Sequence, residues 1–405
     1  MPSQNAPCSS GHDVTPHEGH SLRKGDLVSV AALFLKLGAT GFGGPAAHIA
    51  LMREEVVVRR QWLTEEEFLD RLGATNLIPG PNSTELALHI GWERAGPRGL
   101  LVAGFCFIAP AMVLTWACAW AYVRYESMPS LGWLLYGIKP VMVALVVDAI
   151  VSLVPKAASN PKLALLGMAS ALSTAFGIHE LTVLVGAGCL SMLHERLRSG
   201  PRDDSHGLSW LPPAVSVGPL PSLASLLPST PHVFLVFLKI GSVLFGSGYV
   251  LLAFLRADLV ERLHWLTERQ LMDAIAVGQV TPGPLFTTAT FVGYLLAGTP
   301  GAMAATLGIF LPAFVLVAMS GPLLPRLRRS KNAAHFLDGV NVASLALMAV
   351  VAVHLGQASL VDAPSLGLCL VCFHALRRYK PNATWLIVGG ALLGILRHGA
   401  LRGLP

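Results

Sequence analysis

Apolar runs of about 18 residues or more recur along most of the chain, broken by short polar turns and without the alternation of an amphipathic strand. That pattern predicts an all-α integral membrane protein with about ten spans, and it does not fit an outer-membrane barrel. In the first half the clearest spans are expected near 99–123, 131–154, 161–176 and 180–194. They follow a long first helix and a polar, amphipathic stretch ending in "LIPGPNSTELALHIG", Leu77 to Gly91.

This Pro-Gly-Pro element, Pro79, Gly80 and Pro81, breaks the hydrophobic pattern. About 11 helix-compatible residues precede it and about 13 follow, each too few to cross roughly 30 Å of hydrocarbon at about 1.5 Å per residue. Two half-helices that dip in and return, a re-entrant hairpin, fit better than a single crossing.

The same design occurs twice. Aligning Phe34 onward with Phe237 onward at one constant offset gives identity at 19 of 51 positions, where chance gives about three. The matches include Lys36 with Lys239, Gly38 with Gly241, the run Trp62 to Glu65 with Trp265 to Glu268, and Pro79-Gly80-Pro81 with Pro282-Gly283-Pro284. The chain therefore divides into a flexible polar tail (1–25), a first transmembrane repeat (26–194), a Pro- and Ser-rich linker (195–231) and a second repeat (232–400). Five crossings per repeat would insert the second upside down relative to the first. A single crossing at each Pro-Gly-Pro would instead make them parallel. Placing loops on alternate sides puts about 18 Lys and Arg on one face and about 8 on the other, which orients the richer face to the cytoplasm.

Composition narrows the class further. Hydrophobic residues make up 53% of the 405 and charged residues 13%, against roughly 25% charged in soluble domains. The net charge of +6 sits in short loops as a topological marker and gives no reason to expect nucleic acid as a partner. Of the six cysteines, five lie in apolar stretches, so no disulfide framework is suggested. The Cys369-x-x-Cys372 spacing reads as two small apolar residues of one helix. Cys8 with His12, His17 and His20 is too irregular for a good metal site. No cofactor and no metal is called for, and neither an H-E-x-x-H set nor a phosphate-loop signature is present.

The candidate chemistry lies at the breaks. After Pro81, the run Asn82, Ser83, Thr84, Glu85 is a helix-start signal, and a helix start in apolar surroundings presents free N–H groups with about half a positive charge behind them. That is a backbone recipe for an anion. The second copy keeps Thr287 and Thr288 but loses the Asn-Ser-Glu set, so the first tip is the expected principal site. A second break, with hinge or packing roles for Gly38, Gly43, Gly44 and Pro45, is mirrored by Gly241, Gly246 and Gly248. Lys36 and Lys239 are expected to supply positive charge, with snorkelling to the interface as the plainer alternative. His48 and Glu85, beside the breaks, are candidate proton carriers, ranked above Asp148.

The motifs "GFGGPAAHIALM", "LIPGPNSTELALHIG" and "VTPGPLFTTATFVGYLLAG" resemble the repeated signatures of the chromate ion transporter family in its long-chain, two-domain form. The resemblance covers nearly the whole chain. It implies a non-enzymatic secondary transporter in a bacterial inner membrane that exports chromate and confers resistance, with sulfate as the isosteric competitor. On that footing Asn82, Ser83, Thr84, Thr287 and Thr288 would coordinate the oxyanion and Lys36 and Lys239 would attract it. Sulfate transport and proton-coupled antiport stay open as alternatives, and a homodimer is compatible with everything above.

Overall fold

A computed structural model describes residues 24–42, 44–75, 78–125, 129–199, 228–245, 250–329, 331–379, 381 and 383–402. Most of the N-terminal tail, the centre of the linker, and Gly43, Gly246 and Gly248 lie outside the described residues. Those that are described form helices and connecting turns, with no strand among them. In the first repeat these are α1 (Lys24–Thr40), α2 (Gly44–Arg53), α3 (Glu65–Thr75), α4 (Asn82–Tyr125), α5 (Pro129–Ala157), α6 (Pro161–Ala175) and α7 (Glu180–Ser199). In the second they are α8 (Thr230–Val243), α9 (Leu251–Leu255), α10 (Glu268–Val280), α11 (Thr288–Arg329), α12 (Lys331–Ser359), α13 (Ala363–Tyr379) and α14 (Ala383–Arg402). The spans expected near 99–123, 131–154, 161–176 and 180–194 correspond to the second limb of α4 and to α5, α6 and α7.

Among the described residues, four helical stretches are long and apolar enough to cross a membrane: Asn82–Tyr125, Gly132–Pro155, Leu285–Ser320 and Asn332–Ser359. The first and third are bent. Ala95 and Gly96 leave helical geometry, Gly96 at φ +60° and ψ −149°, a region only glycine adopts comfortably; Ala297 and Gly298 repeat this. Pro97 then restarts the helix with a preset φ. The chain doubles back so closely that a methyl group on Gly99 would collide with the carbonyl of Gly91. Thus 82–95 is a half-helix of about 21 Å, returning from the Pro-Gly-Pro tip before the long limb begins.

Local chemistry starts the half-helices. Thr64 and Glu67 form a capping box on α3, with the Thr64 N–H donating to Glu67 Oε2 at 2.8 Å and the Glu67 N–H donating to Thr64 Oγ1 at 3.2 Å. The Thr64 N–H and hydroxyl, both donating to it, hold the Glu67 carboxyl below the usual carboxylate range. Thr267 and Gln270 reproduce the box on α10. Between α2 and α3, and between α9 and α10, the chain runs through π-helical turns, Glu54–Arg59 and Arg256–Arg262. Each turn is followed by a residue in left-handed geometry, Gln61 at φ +50° and His264 at φ +51°.

The halves pack reciprocally. α1 lies on α4 and α8 on α11, where Gly38 and Gly241 meet the carbonyls of Phe107 and Ile309 too closely to admit a side chain. Across the halves, α5 meets α14 at Gly137 and Gly390, while α12 meets α7 at Gly339 and Ala187, the equivalent pair of positions. A contact that maps onto its own partner under exchange of the halves is what an internal two-fold relation produces.

Candidate functional site

Both Pro-Gly-Pro tips are embedded in protein. Gly80 and Pro81 in the first, and Pro282, Gly283 and Pro284 in the second, are buried. Each tip closes onto the break of the other half. The Gly80 N–H donates to the carbonyl of Leu244 at 2.8 Å, and the Gly283 N–H donates to the carbonyl of Gly41 at 2.8 Å. The two bonds are the same bond in the two halves. They need glycine: φ is +145° at Gly80 and +95° at Gly283, and a methyl on Gly80 would overlap Oε1 of Glu85.

The first tip leads into α4. Pro81 cannot donate, and its carbonyl accepts from the amides of Thr84 and Glu85 at 2.8 and 3.0 Å. The amides of Asn82 and Ser83 are thereby the first-turn donors directed back at the break. Ser83, Thr84 and Glu85 are buried, and Thr84 Oγ1 and both carboxyl oxygens of Glu85 have no hydrogen-bond partner. Unmet donors and acceptors of this kind are uncommon in protein interiors and point to a group that arrives from outside.

The second tip is different. Thr287 and Thr288 are equally buried, but their hydroxyls donate to the carbonyls of Pro284 and Leu285, both at 2.8 Å. Their protons are spent on their own backbone, which leaves lone pairs and no donor for an anion in this conformation. Thr281 faces Thr115 of the first half, Oγ1 to Oγ1 at 3.4 Å.

The lysines are engaged elsewhere. Lys36 Nζ lies 2.7 Å from Glu55 Oε1, and Lys239 Nζ lies 2.8 Å from Asp258 Oδ1. Arg59 and Arg262 complete equivalent triads on the same carboxylates. Both lysines lie near the C-terminal ends of α1 and α8. Gly38 and Gly241, expected at the breaks, sit inside regular helix, because the interruptions begin only after Thr40 and Val243. Gly44 opens α2 and Pro45 follows within it. His48 is buried, with Nε2 2.8 Å from the carbonyl of Gly41, the oxygen that also receives the second tip. That carbonyl has only lone pairs to offer, so the imidazole carries its hydrogen on Nε2. Asp148 lies 3.7 Å from Arg377 of the other half.

One cluster escaped the sequence. Asp273 on α10 is fully buried, with Lys139 Nζ at 2.8 Å and the Tyr122 hydroxyl at 2.9 Å, both from the first half. A charge at each of two positions inside apolar patterns was the available signal, but nothing in the spacing joins them.

The sequence is similar to that of known proteins. The family model for the chromate transporter matches residues 28–192 and again 231–395. A chromate transport protein of Cupriavidus metallidurans is 30% identical over 93% of this chain and 94% of its own length. A probable chromate transport protein of Synechococcus elongatus is 30% identical over 94% and 96%. A chromate transport protein of Pseudomonas aeruginosa is 31% identical over 90% and 91%. No solved structure matches the chain. With two copies of the family's unit filling most of its length and relatives aligned end to end, the chain is a multi-pass membrane transport protein and not an enzyme, and it belongs to the chromate transporter family.

Proposed function

We propose that this protein exports chromate from the cytoplasm across a bacterial inner membrane and so confers chromate resistance, with the first Pro-Gly-Pro tip as the principal binding site. The observation that carries the reading is the reciprocal closure of each tip on the other half's break, beside a first tip whose buried Thr84 hydroxyl has no hydrogen-bond partner. A tetrahedral dianion has four oxygens to be satisfied. The amides of Asn82 and Ser83 and the hydroxyls of Ser83 and Thr84 offer donors at the positive end of a helix dipole. The second tip, with Thr287 and Thr288 spent on backbone, serves as gate and counterpart. Irregular backbone at membrane depth is tolerated where protein surrounds it, which agrees with burial of both tips.

Five crossings per half, with the half-helices on either side of each tip forming a re-entrant hairpin, would relate the repeats by inversion. Transport then proceeds by rocking one half against the other around the tips. The membrane potential alone drives an outgoing dianion with about 4.6 kcal/mol per 100 mV, from about 2.3 kcal/mol per charge. Lys36 and Lys239 orient the segments around the site through their carboxylate partners, and any attraction they exert on the anion is reduced by those pairs.

Labelled chromate uptake into everted membrane vesicles tests this, with sulfate as competitor and with the potential and the pH gradient collapsed separately. Saturable uptake that Ser83→Ala with Thr84→Val abolishes, and Thr287→Val with Thr288→Val reduces only a few-fold, is expected. Equal loss from both pairs would remove the assignment to the first tip.

A further inference from the structure

The buried carboxyl of Glu85 is unexplained by backbone and hydroxyl donors gripping an anion. It sits in the first turn of α4, 0% exposed, with Oε1 packed against the Cα of Gly80 at the tip and neither oxygen hydrogen-bonded. A carboxylate there would occupy the same positive helix end that the anion needs. Two negative groups cannot share it without a proton between them. A neutral carboxylic acid, by contrast, has an O–H to donate, and an oxyanion is the strongest acceptor that could arrive.

Among the described residues Glu85 has no ion pair and no hydrogen bond on its carboxyl oxygens. Several charged and titratable groups on the elements around it already have partners. His48 of α2 is directed at the Gly41 carbonyl, and Lys36 of α1 is held by Glu55. Lys239 of α8 is held by Asp258, and Arg71 of α3 pairs with Glu93 of α4. His89 lies one turn further along α4 itself. From α11 the nearest neighbour at the tip is the methyl group of Ala313.

We infer that the oxyanion binds together with one proton, carried on Glu85, so that anion and proton occupy the tip at the same time and cross in the same direction. This rests on the first tip being the anion site. The proton comes from water on the side where the anion enters, adds to the ionised carboxyl, and its O–H bond points at an oxyanion oxygen; no bond to the anion is made or broken. By linkage, protonation of Glu85 must then tighten anion binding by the same factor that anion binding favours protonation. The consequence for transport is specific. A dianion accompanied by one proton moves one net negative charge, so the electrical drive for export is halved and an inward-directed proton gradient opposes export. Proton antiport, with the two ions excluding each other, would show the opposite sign.

The test uses the purified full-length chain in lipid nanodiscs and chromate at alkaline pH, where chromate is the dianion. Calorimetric titration in two buffers of different ionisation enthalpy gives the protons exchanged per anion bound. The native chain is expected to take up protons on the alkaline limb, approaching one per chromate, with affinity falling about tenfold per pH unit. Glu85→Gln, neutral and of the same shape, is expected to bind chromate with no proton exchanged and no such fall. Proton release on binding, or an unchanged uptake and slope in Glu85→Gln, overturns the inference while leaving the tip in place. Undiminished binding by Ser83→Ala with Thr84→Val would instead overturn the tip itself. If Glu85→Gln binds nothing although monodisperse, the acid's role as a mere donor is overturned too, because glutamine also has a donor.

Discussion

Lys139 is a side chain whose removal should be costly. It reaches from α5 of the first half to Asp273 on α10 of the second, Nζ to Oδ1 at 2.8 Å, with the lysine 18% and the carboxylate 0% exposed. Tyr122 holds the other oxygen at 2.9 Å, and Arg269 stands 4.0 Å away with its side chain mostly outside. Lys139→Met keeps the volume and removes the charge, leaving a buried carboxylate with one hydroxyl donor. Breaking a buried pair by deleting one partner costs about 3–5 kcal/mol. The remaining Tyr122 bond places this case at the lower end, about 3 kcal/mol, or roughly a hundredfold in the folding equilibrium. Adding Asp273→Asn removes the orphaned charge and keeps an acceptor for Tyr122, so the double variant should return to within about 1 kcal/mol of native. Unfolding in mixed micelles followed by tryptophan fluorescence reads all three proteins. If Lys139→Met is as stable as native, or if the double variant is no better than the single, the pair is not the buried bridge described here and the packing of α10 against the first half must have another cause.

Two further predictions concern the tips and the lysines. Gly80→Ala should lose most folded protein on size-exclusion chromatography, since φ there is positive and the new methyl meets Glu85, whereas Gly96→Ala has open space and should cost about 1–3 kcal/mol of backbone strain alone. Lys36→Met should impair vesicle uptake by leaving Glu55 with only Arg59 and Arg60, and Lys36→Met with Glu55→Gln should restore much of it; failure of the double variant to recover would assign the lysine's charge to the anion after all.

What could be read in advance was whatever repeats or has a length. Identity at one offset disclosed two copies of one unit, and the Pro-Gly-Pro runs marked where the helices break, because both are properties of local sequence. The reciprocal bonds of Gly80 to Leu244 and Gly283 to Gly41 could not be read, because they join backbone atoms whose side chains carry no signal. Lys36 was read as a free charge since its partner Glu55 lies beyond the break, and only the course of α2 and the π-helical turn brings it near. Thr287 and Thr288 looked like ligands by residue type. Their i to i−3 backbone bonds are a matter of rotamer, which sequence does not state.

The halves are symmetric at their centre and unequal at one flank, and that inequality is testable. Leu69 on α3 and Met272 on α10 occupy equivalent positions, yet Leu69 is 54% exposed and Met272 3%. Their neighbours Asp70 and Asp273 differ likewise, one exposed and one buried. The partners differ: Lys139 of the first repeat aligns with Asn341 of the second, so a docked α3 would not meet at that position the cation that Lys139 gives Asp273. Burying that carboxylate without one is prohibitive. α3 is thus left exposed along a face that also carries Glu66, while α10 is held by its ion pair. In a chain with its native cysteines replaced, Leu69→Cys should react with a water-soluble maleimide at least about tenfold faster than Met272→Cys, following the exposed and buried classes of the two sites. Adding Lys139→Met should speed the Met272→Cys reaction and leave that of Leu69→Cys unchanged. Equal rates at the two positions, or acceleration at both, would mean that the inequality belongs to a passing conformation and not to the pairing of Lys139 with Asp273.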